Sequence, residues 1–285
     1  MTKSASVSLL LLLALLIPLP SLAIPAGDEP PPDPYLNDPK PTTILIRVVG
    51  HGAMVLGREV GGARITITDV ETKQILATGI QQGEAGDQNQ IMRTPHLMEE
   101  PLYSSRPAAD FKTTLTLRQP TLVEITAEGP ISYPAALRRA ATTVLLIPGQ
   151  DLTSDGIVLH LYGYIIQIEH PKPGEPQIAK EDVQLRASIR TLSGAPIRPH
   201  GDWDSRKIHI YGELLIGERI VERLQMFYSS DTKTFDAAFF VPSHKDAPDG
   251  ITLRVVATDV SSGNSGLATA NYTVLTERLR SKTRH

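Results

Sequence analysis

Two stretches of the chain hold side chains suited to a soft metal. His51-Gly52-Ala53-Met54 reads as a turn, and Met92-Arg93-Thr94-Pro95-His96-Leu97-Met98 falls in a long loop further on. Thioether and imidazole are the donors that suit copper, particularly in a chain with no cysteine. If the two loops converged at one end of a domain, His51, Met54, Met92, His96 and Met98 would form a copper site. The competing reading is that methionine fills irregular apolar gaps beneath a long loop, which needs no cofactor. No cofactor is therefore expected, with copper as the alternative.

No catalytic constellation accompanies these residues. The chain has no His-Glu-x-x-His helix, no phosphate-cradling glycine loop and no Gly-x-Ser-x-Gly elbow. The absence of cysteine excludes disulfides, thiolate metal sites, cysteine nucleophiles and a lipid on an N-terminal cysteine. With 28 Lys+Arg against 31 Asp+Glu, the charge of −3 gives no reason to expect nucleic acid. Asp202 and Asp204 flank Trp203, and Asp246 precedes Asp249, but neither pair completes a calcium loop. Trp203, the only tryptophan, suits either a core between two sheets or an exposed platform for a sugar or a protein partner. Tyr103 and Arg106 lie in the long segment Gly83–Asp110, whose length marks it as a candidate partner-binding loop.

Elements must position these residues, and the sequence divides clearly. Lys3 precedes an unbroken apolar run from Leu9 to Ile17, then Pro18, Pro20 and Ser21-Leu22-Ala23. That order reads as a signal peptide over residues 1–23, cleaved after Ala23, and hence as a secreted or periplasmic protein. The run is too short to span a bilayer, so no membrane span is expected. Residues 24–41 hold seven prolines and form an extended spacer. From Thr42 the pattern alternates with period two, as in Ala63-Arg64-Ile65-Thr66-Ile67-Thr68-Asp69-Val70 and Val183-Gln184-Leu185-Arg186-Ala187-Ser188-Ile189. Such runs between Gly, Pro and Asp turns predict an all-β protein, with Ala135–Ala141 as the best helical stretch. The expected domains are two β-sandwiches in tandem, over 42–163 (with insert 83–110) and 164–275, then a basic tail over 276–285.

The stretch from Gly57 through Gly61-Gly62-Ala63 to Ile65, Ile67 and Asp69 resembles the opening of carboxypeptidase regulatory-like, transthyretin-like domains. Leu115–Gly129 resembles their closing strands, while the 83–110 insert departs from that pattern. In the second half, Val256-Ala257-Thr258-Asp259, Gly263-Asn264-Ser265-Gly266 and Tyr272-Thr273-Val274 resemble the last strands of bacterial Ig-like domains. These resemblances imply non-catalytic modules for binding or assembly. The expectation is an exported, non-enzymatic protein that presents loops and sheet edges to an envelope or secreted protein partner. The alternatives are periplasmic copper binding and a carbohydrate-binding accessory module.

Overall fold

The structure, a computed structural model, describes residues 38–95, 101–103 and 108–276. It is all-β, with two sheet-rich regions in tandem. The first holds β1 (Lys40–Gly50), β2 (Arg64–Asp69), β3 (Ile75–Ile80), β4 (Phe111–Leu117), β5 (Thr121–Gly129), β6 (Arg138–Leu146) and β7 (Leu152–Leu161). These form sheets of order β4-β1-β7 and β3-β2-β5-β6, with β1 and β7 running parallel. The second region holds β8 (Tyr164–His170), β9 (Gln177–Ile178), β10 (Asp182–Thr191), β11 (His209–Ile216), β12 (Arg219–Gln225) and β13 (Phe227–Ser229). It continues with β14 (Thr234–Phe240), β15 (Ile251–Asp259), β16 (Asn264–Tyr272) and β17 (Val274–Leu275). Its main sheets are β13-β14-β10-β8 and β12-β11-β15-β16, and β17 pairs with β9.

Alternation along the chain becomes alternation of burial. In β5, Val123, Ile125 and Ala127 point inward between exposed or half-buried neighbours, and in β10 Val183, Leu185, Ala187 and Ile189 do the same. Facing sheets interdigitate these side chains into one core per region. The stretch Ala135–Ala141 is not helical beyond a 3-10 turn at Pro134–Ala136. Pairing with β5 over nine residues, together with β-branched Thr142, Thr143 and Val144, draws the rest into β6.

Strand β1 departs from alternation because both of its faces are covered. Ile44, Ile46 and Val48 enter the first core, while Val49 on the opposite face packs with Val55, Tyr103, Ala108 and Ala109. The latter three belong to the 83–110 insert, which also carries a short helix, α1 (Gln88–Met92), capped by Asp87. Single bridges Gln82↔Asp110 and Glu84↔Ala108 close the insert's base. Strand β4 pairs with β1 only as far as Ile46. At Val48 the missing partner is supplied by Gln81, whose Oε1 accepts from the Val48 N–H at 2.6 Å. The Gln81 Nε2 donates to the carbonyls of Val48 (3.0 Å) and Leu56 (2.8 Å).

Three hairpin loops repeat one solution. In each, an N–H four residues on returns to the carbonyl that starts the turn: Lys73 to Asp69, Lys233 to Ser229 and Gly263 to Asp259. Asp69 and Asp259 also accept the next backbone N–H groups, from Glu71 and Thr72 and from Ser261 and Ser262. Those bonds, led by the one from Thr72, hold the Asp69 carboxyl below its ordinary range. The residue that closes the turn is left-handed in all three, at φ 61° for Lys73, 58° for Lys233 and 74° for Gly263. Only glycine adopts that region without steric cost. Lys73→Gly and Lys233→Gly are each expected to stabilise the protein by about 0.5–1 kcal/mol, after allowing for the looser unfolded chain. Urea unfolding measures this, and a loss of stability in both variants would refute the strain argument.

Candidate binding surface at the sandwich junction

Only Tyr162 and Gly163 separate β7 from β8, so the two sandwiches abut. The contact is built from the loop after β1. Asn264, at the start of β16, accepts the Gly163 N–H at 2.9 Å and donates through Nδ2 to the His51 carbonyl at 2.9 Å. The Trp203 indole N–H donates to the Gly52 carbonyl at 2.8 Å, and the Met54 N–H donates to Ser193 Oγ at 3.3 Å. Asp202 accepts Gln88 Nε2 at 2.6 Å and forms an ion pair with Arg93, joining the second sandwich to the insert. Ile165 and Leu192, from the second half of the chain, complete the core of the first sandwich. From Asp38 onward the chain clusters as one compact unit.

The electrostatics follow from these contacts. The Arg93 hydrogen bond draws the Asp202 carboxyl below its ordinary range, and Arg206 draws Asp204 lower still. Burial, with the charge of Asp259 nearby, pushes the Tyr164 hydroxyl up to about 12. The His51 ring stacks on Tyr162 at 4.1 Å and meets His160 edge-on at 5.8 Å. Burial, and then the charge of His51, pull His160 below the ordinary imidazole value.

Three of the five residues named for the copper alternative lie among the described residues. His51 lies in the junction loop, and Met54 is buried with its methyl 4.0 Å from the Cβ position of Gly86. Met92 is exposed at the end of α1, while His96 and Met98 lie outside the described residues. Among the described residues, no three His, Asp or Glu side chains gather as a metal cluster, and no helix is long and apolar enough to cross a membrane.

Tyr103, named as a partner-binding candidate in the insert, faces inward and is 9% exposed. The Asp155 carboxylate accepts the N–H groups of Leu102 (2.6 Å) and Tyr103 (2.9 Å), which pins the insert to β7. Buried Arg47 donates to the Asp155 carbonyl at 2.7 Å and lies 3.8 Å from Asp110. Burial and the Asp155 charge raise the Tyr103 hydroxyl. Arg106 lies outside the described residues. Trp203 is neither a wholly enclosed core residue nor a free platform. Half-buried, it packs on the second core while its N–H is engaged by the first sandwich.

A feature that no sequence motif marks lies beside this junction. An open groove of about 770 Å³ runs along β10, bordered by Ser188 and Arg190, the loop through Arg198 and His200, and the β13–β14 turn at Lys233. Glu59 of the first sandwich closes one end, beside Gly194.

No protein-family model matches the chain, and no curated protein matches it. Among solved structures, the chain is similar to fibronectin(III)-like modules of CbhA from Clostridium thermocellum, at 9% identity and a TM-score of 0.28. That match covers 78% of this chain and 83% of the other. A DUF3823 family protein from Bacteroides ovatus aligns at 9% identity and a TM-score of 0.30, over 84% of this chain and all of its own. A chimeric titin Z1Z2 tandem aligns at 9% identity and a TM-score of 0.26, over 83% and 99%. None of these matches singles out the transthyretin-like family. The class defined by fold and junction is a tandem β-sandwich protein.

Proposed function

We propose that the protein is an exported, non-enzymatic binding module that engages an envelope or secreted protein through a sandwich edge. The observation that carries this reading is β3, an edge strand reading Ile-Leu-Ala-Thr-Gly-Ile with no charged residue. Sheet edges invite strand addition unless charge, shortness or cover blocks it. Here β4, β6, β7, β8 and β12 each include charged side chains, and β13 has only three residues. Strand β16 lacks charge but lies along β8, with Gly266 close to the Tyr164 backbone, whereas β3 meets β4 at Gly79, against the Phe111 ring. On β3, Ile75 and Ile80 are 61% and 46% exposed, and they share the outer face with Thr78 because Thr68, Arg64 and Thr66 are their partners.

The Gly61-Gly62-Ala63 turn, on which the resemblance to carboxypeptidase regulatory-like domains rests, has no room for a side chain at its second glycine. Gly62, at φ 65°, lies so close to the Gln81 carbonyl that a Cβ would stand 2.2 Å from it. The test is site-specific photo-crosslinking in the native compartment from positions 75, 78 and 80, with position 219 on β12 as control. The expected result is one cross-linked polypeptide from the β3 positions, lost in an Ile75→Lys/Ile80→Lys variant that melts like the parent. Equal cross-linking from β12, or none from β3, would overturn the reading.

A further inference from the structure

The groove beside the junction is a second recognition surface with its own chemistry. Its volume of about 770 Å³ falls within the range of about 300–1,000 Å³ typical of ligand sites. Arg190, Arg198, His200 and Lys233 border it, and none of these side chains forms an ion pair or a side-chain hydrogen bond among the described residues. Asp202 lies close enough to sense Arg198 but is already bonded to Arg93 and Gln88. Eight other arginines, at 47, 58, 93, 139, 186, 206, 223 and 254, are each paired with a carboxylate, whereas Arg190, Arg198 and Lys233 stand together at this groove with no such partner.

The rim that carries them is held in place. The Arg198 N–H donates to the Trp203 carbonyl at 3.2 Å, and Arg198's own carbonyl accepts from Gly201 and Ser205. Asp204 accepts the His200 N–H at 3.2 Å. Trp203 anchors this loop to Gly52 across the junction. Lys233 is fixed by its turn to Ser229. The backbone that carries these cations is thus already ordered, and only their side chains lose freedom when a ligand arrives.

We propose that the groove binds an acidic, extended segment of a protein partner, whose carboxylates pair with Arg190, Arg198 and Lys233. Guanidinium and carboxylate suit one another because two parallel N–H donors meet two oxygens. An acidic polysaccharide fits less well, because Tyr228 and His200 are the only aromatic rings among the lining residues, too few for a stacking platform. The Tyr228 ring packs inward against Phe235, with ring centroids 5.3 Å apart. Glu59 and Glu169 on the same wall oppose acidic ligands, so they set where the ligand's charges fall and temper its affinity.

This inference rests on the protein-binding reading but uses a surface separate from β3, so the two can fail independently. The probe is a short oligoglutamate peptide, titrated into the full chain at low salt and followed by calorimetry. Binding should weaken as salt rises and fall by about tenfold or more in Arg190→Ala/Arg198→Ala. The Glu169→Gln variant should tighten binding, a change that mere loss of structure would not produce. The Ile75→Lys/Ile80→Lys variant should bind the peptide unchanged. The proposal is overturned by undetectable peptide binding at low salt, or by arginine variants that bind as well as the parent. It is also overturned if polygalacturonate, and not oligoglutamate, binds with the arginine dependence.

Discussion

Replacing Gln81 with leucine is expected to destabilise the protein by about 3 kcal/mol, roughly the cost of leaving two buried backbone groups unpaired. The side chain is 1% exposed and acts as a one-residue strand, taking the place that β4 vacates beyond Ile46. Its amide exchanges both hydrogen bonds with Val48 and bonds the carbonyl of Leu56 as well. Leucine fills the volume but leaves the Val48 N–H and the Leu56 carbonyl without these partners. The Val48 carbonyl keeps its bond from the Leu56 N–H. Gln81→Glu should also destabilise, since a carboxylate cannot donate to either carbonyl. For a protein of this size the leucine change corresponds to a fall in Tm of about 6–12 °C. A measured loss below about 1 kcal/mol would show that neighbouring groups or water readily replace the amide.

Gln81 also shows where sequence reading stops. It stands beside Gln82 and Gly83 after an alternating segment, where polar residues ordinarily mark a turn. Nothing local distinguishes a buried amide that completes another strand from a solvated one. The strands themselves were legible because period-two patterning at Ile65, Ile67, Val123, Ile125, Leu185 and Ile189 is a local consequence of one buried face. The Asp259 turn was legible for a similar reason, since its carboxylate bonds its own next residues. Strand β6 was not, because Arg138-Arg139-Ala140-Ala141 has no inward apolar series and is recruited by pairing with β5.

The surfaces were less legible than the strands. Tyr103 looked displayable because length was the only signal in the insert, whereas its burial depends on Asp155 more than fifty residues away. Trp203 invited a choice between core and ligand platform, and its actual partner, Gly52, is 151 positions distant. The groove draws Glu59, Glu169, the stretch from Arg190 to Arg198 and Lys233 from four separate segments. Each of these features is a long-range convergence, which a single sequence records only after the topology is known.

The second large effect should follow from breaking that convergence at Trp203. Trp203→Ala removes a half-buried indole from the second core together with the bond to Gly52, a loss of about 2–3 kcal/mol. Asn264→Asp is the sharper probe. It keeps the oxygen that accepts the Gly163 N–H within the connection between β7 and β8, but it replaces the donor facing the His51 carbonyl with a second acceptor. Two oxygens then oppose each other across the junction, so the effect concentrates on coupling between the sandwiches. Since His51 and Gly52 are adjacent in one turn, the two substitutions act on a shared element and should not be additive. Short connections do not by themselves make neighbouring domains rigid, and interfaces of this kind ordinarily permit relative motion. Here the bonds to His51 and Gly52 and the shared core residues Ile165 and Leu192 couple the two, so the parent should unfold in one calorimetric transition, with both sandwiches tumbling as one body by NMR relaxation. The double variant should show two transitions and faster, independent tumbling. Because Trp203 also supports Arg198, it should bind the oligoglutamate peptide more weakly even where both sandwiches stay folded. A single transition with unchanged tumbling in the double variant would mean that the shared core contacts of Ile165 and Leu192, not the polar contacts at His51 and Gly52, hold the sandwiches together.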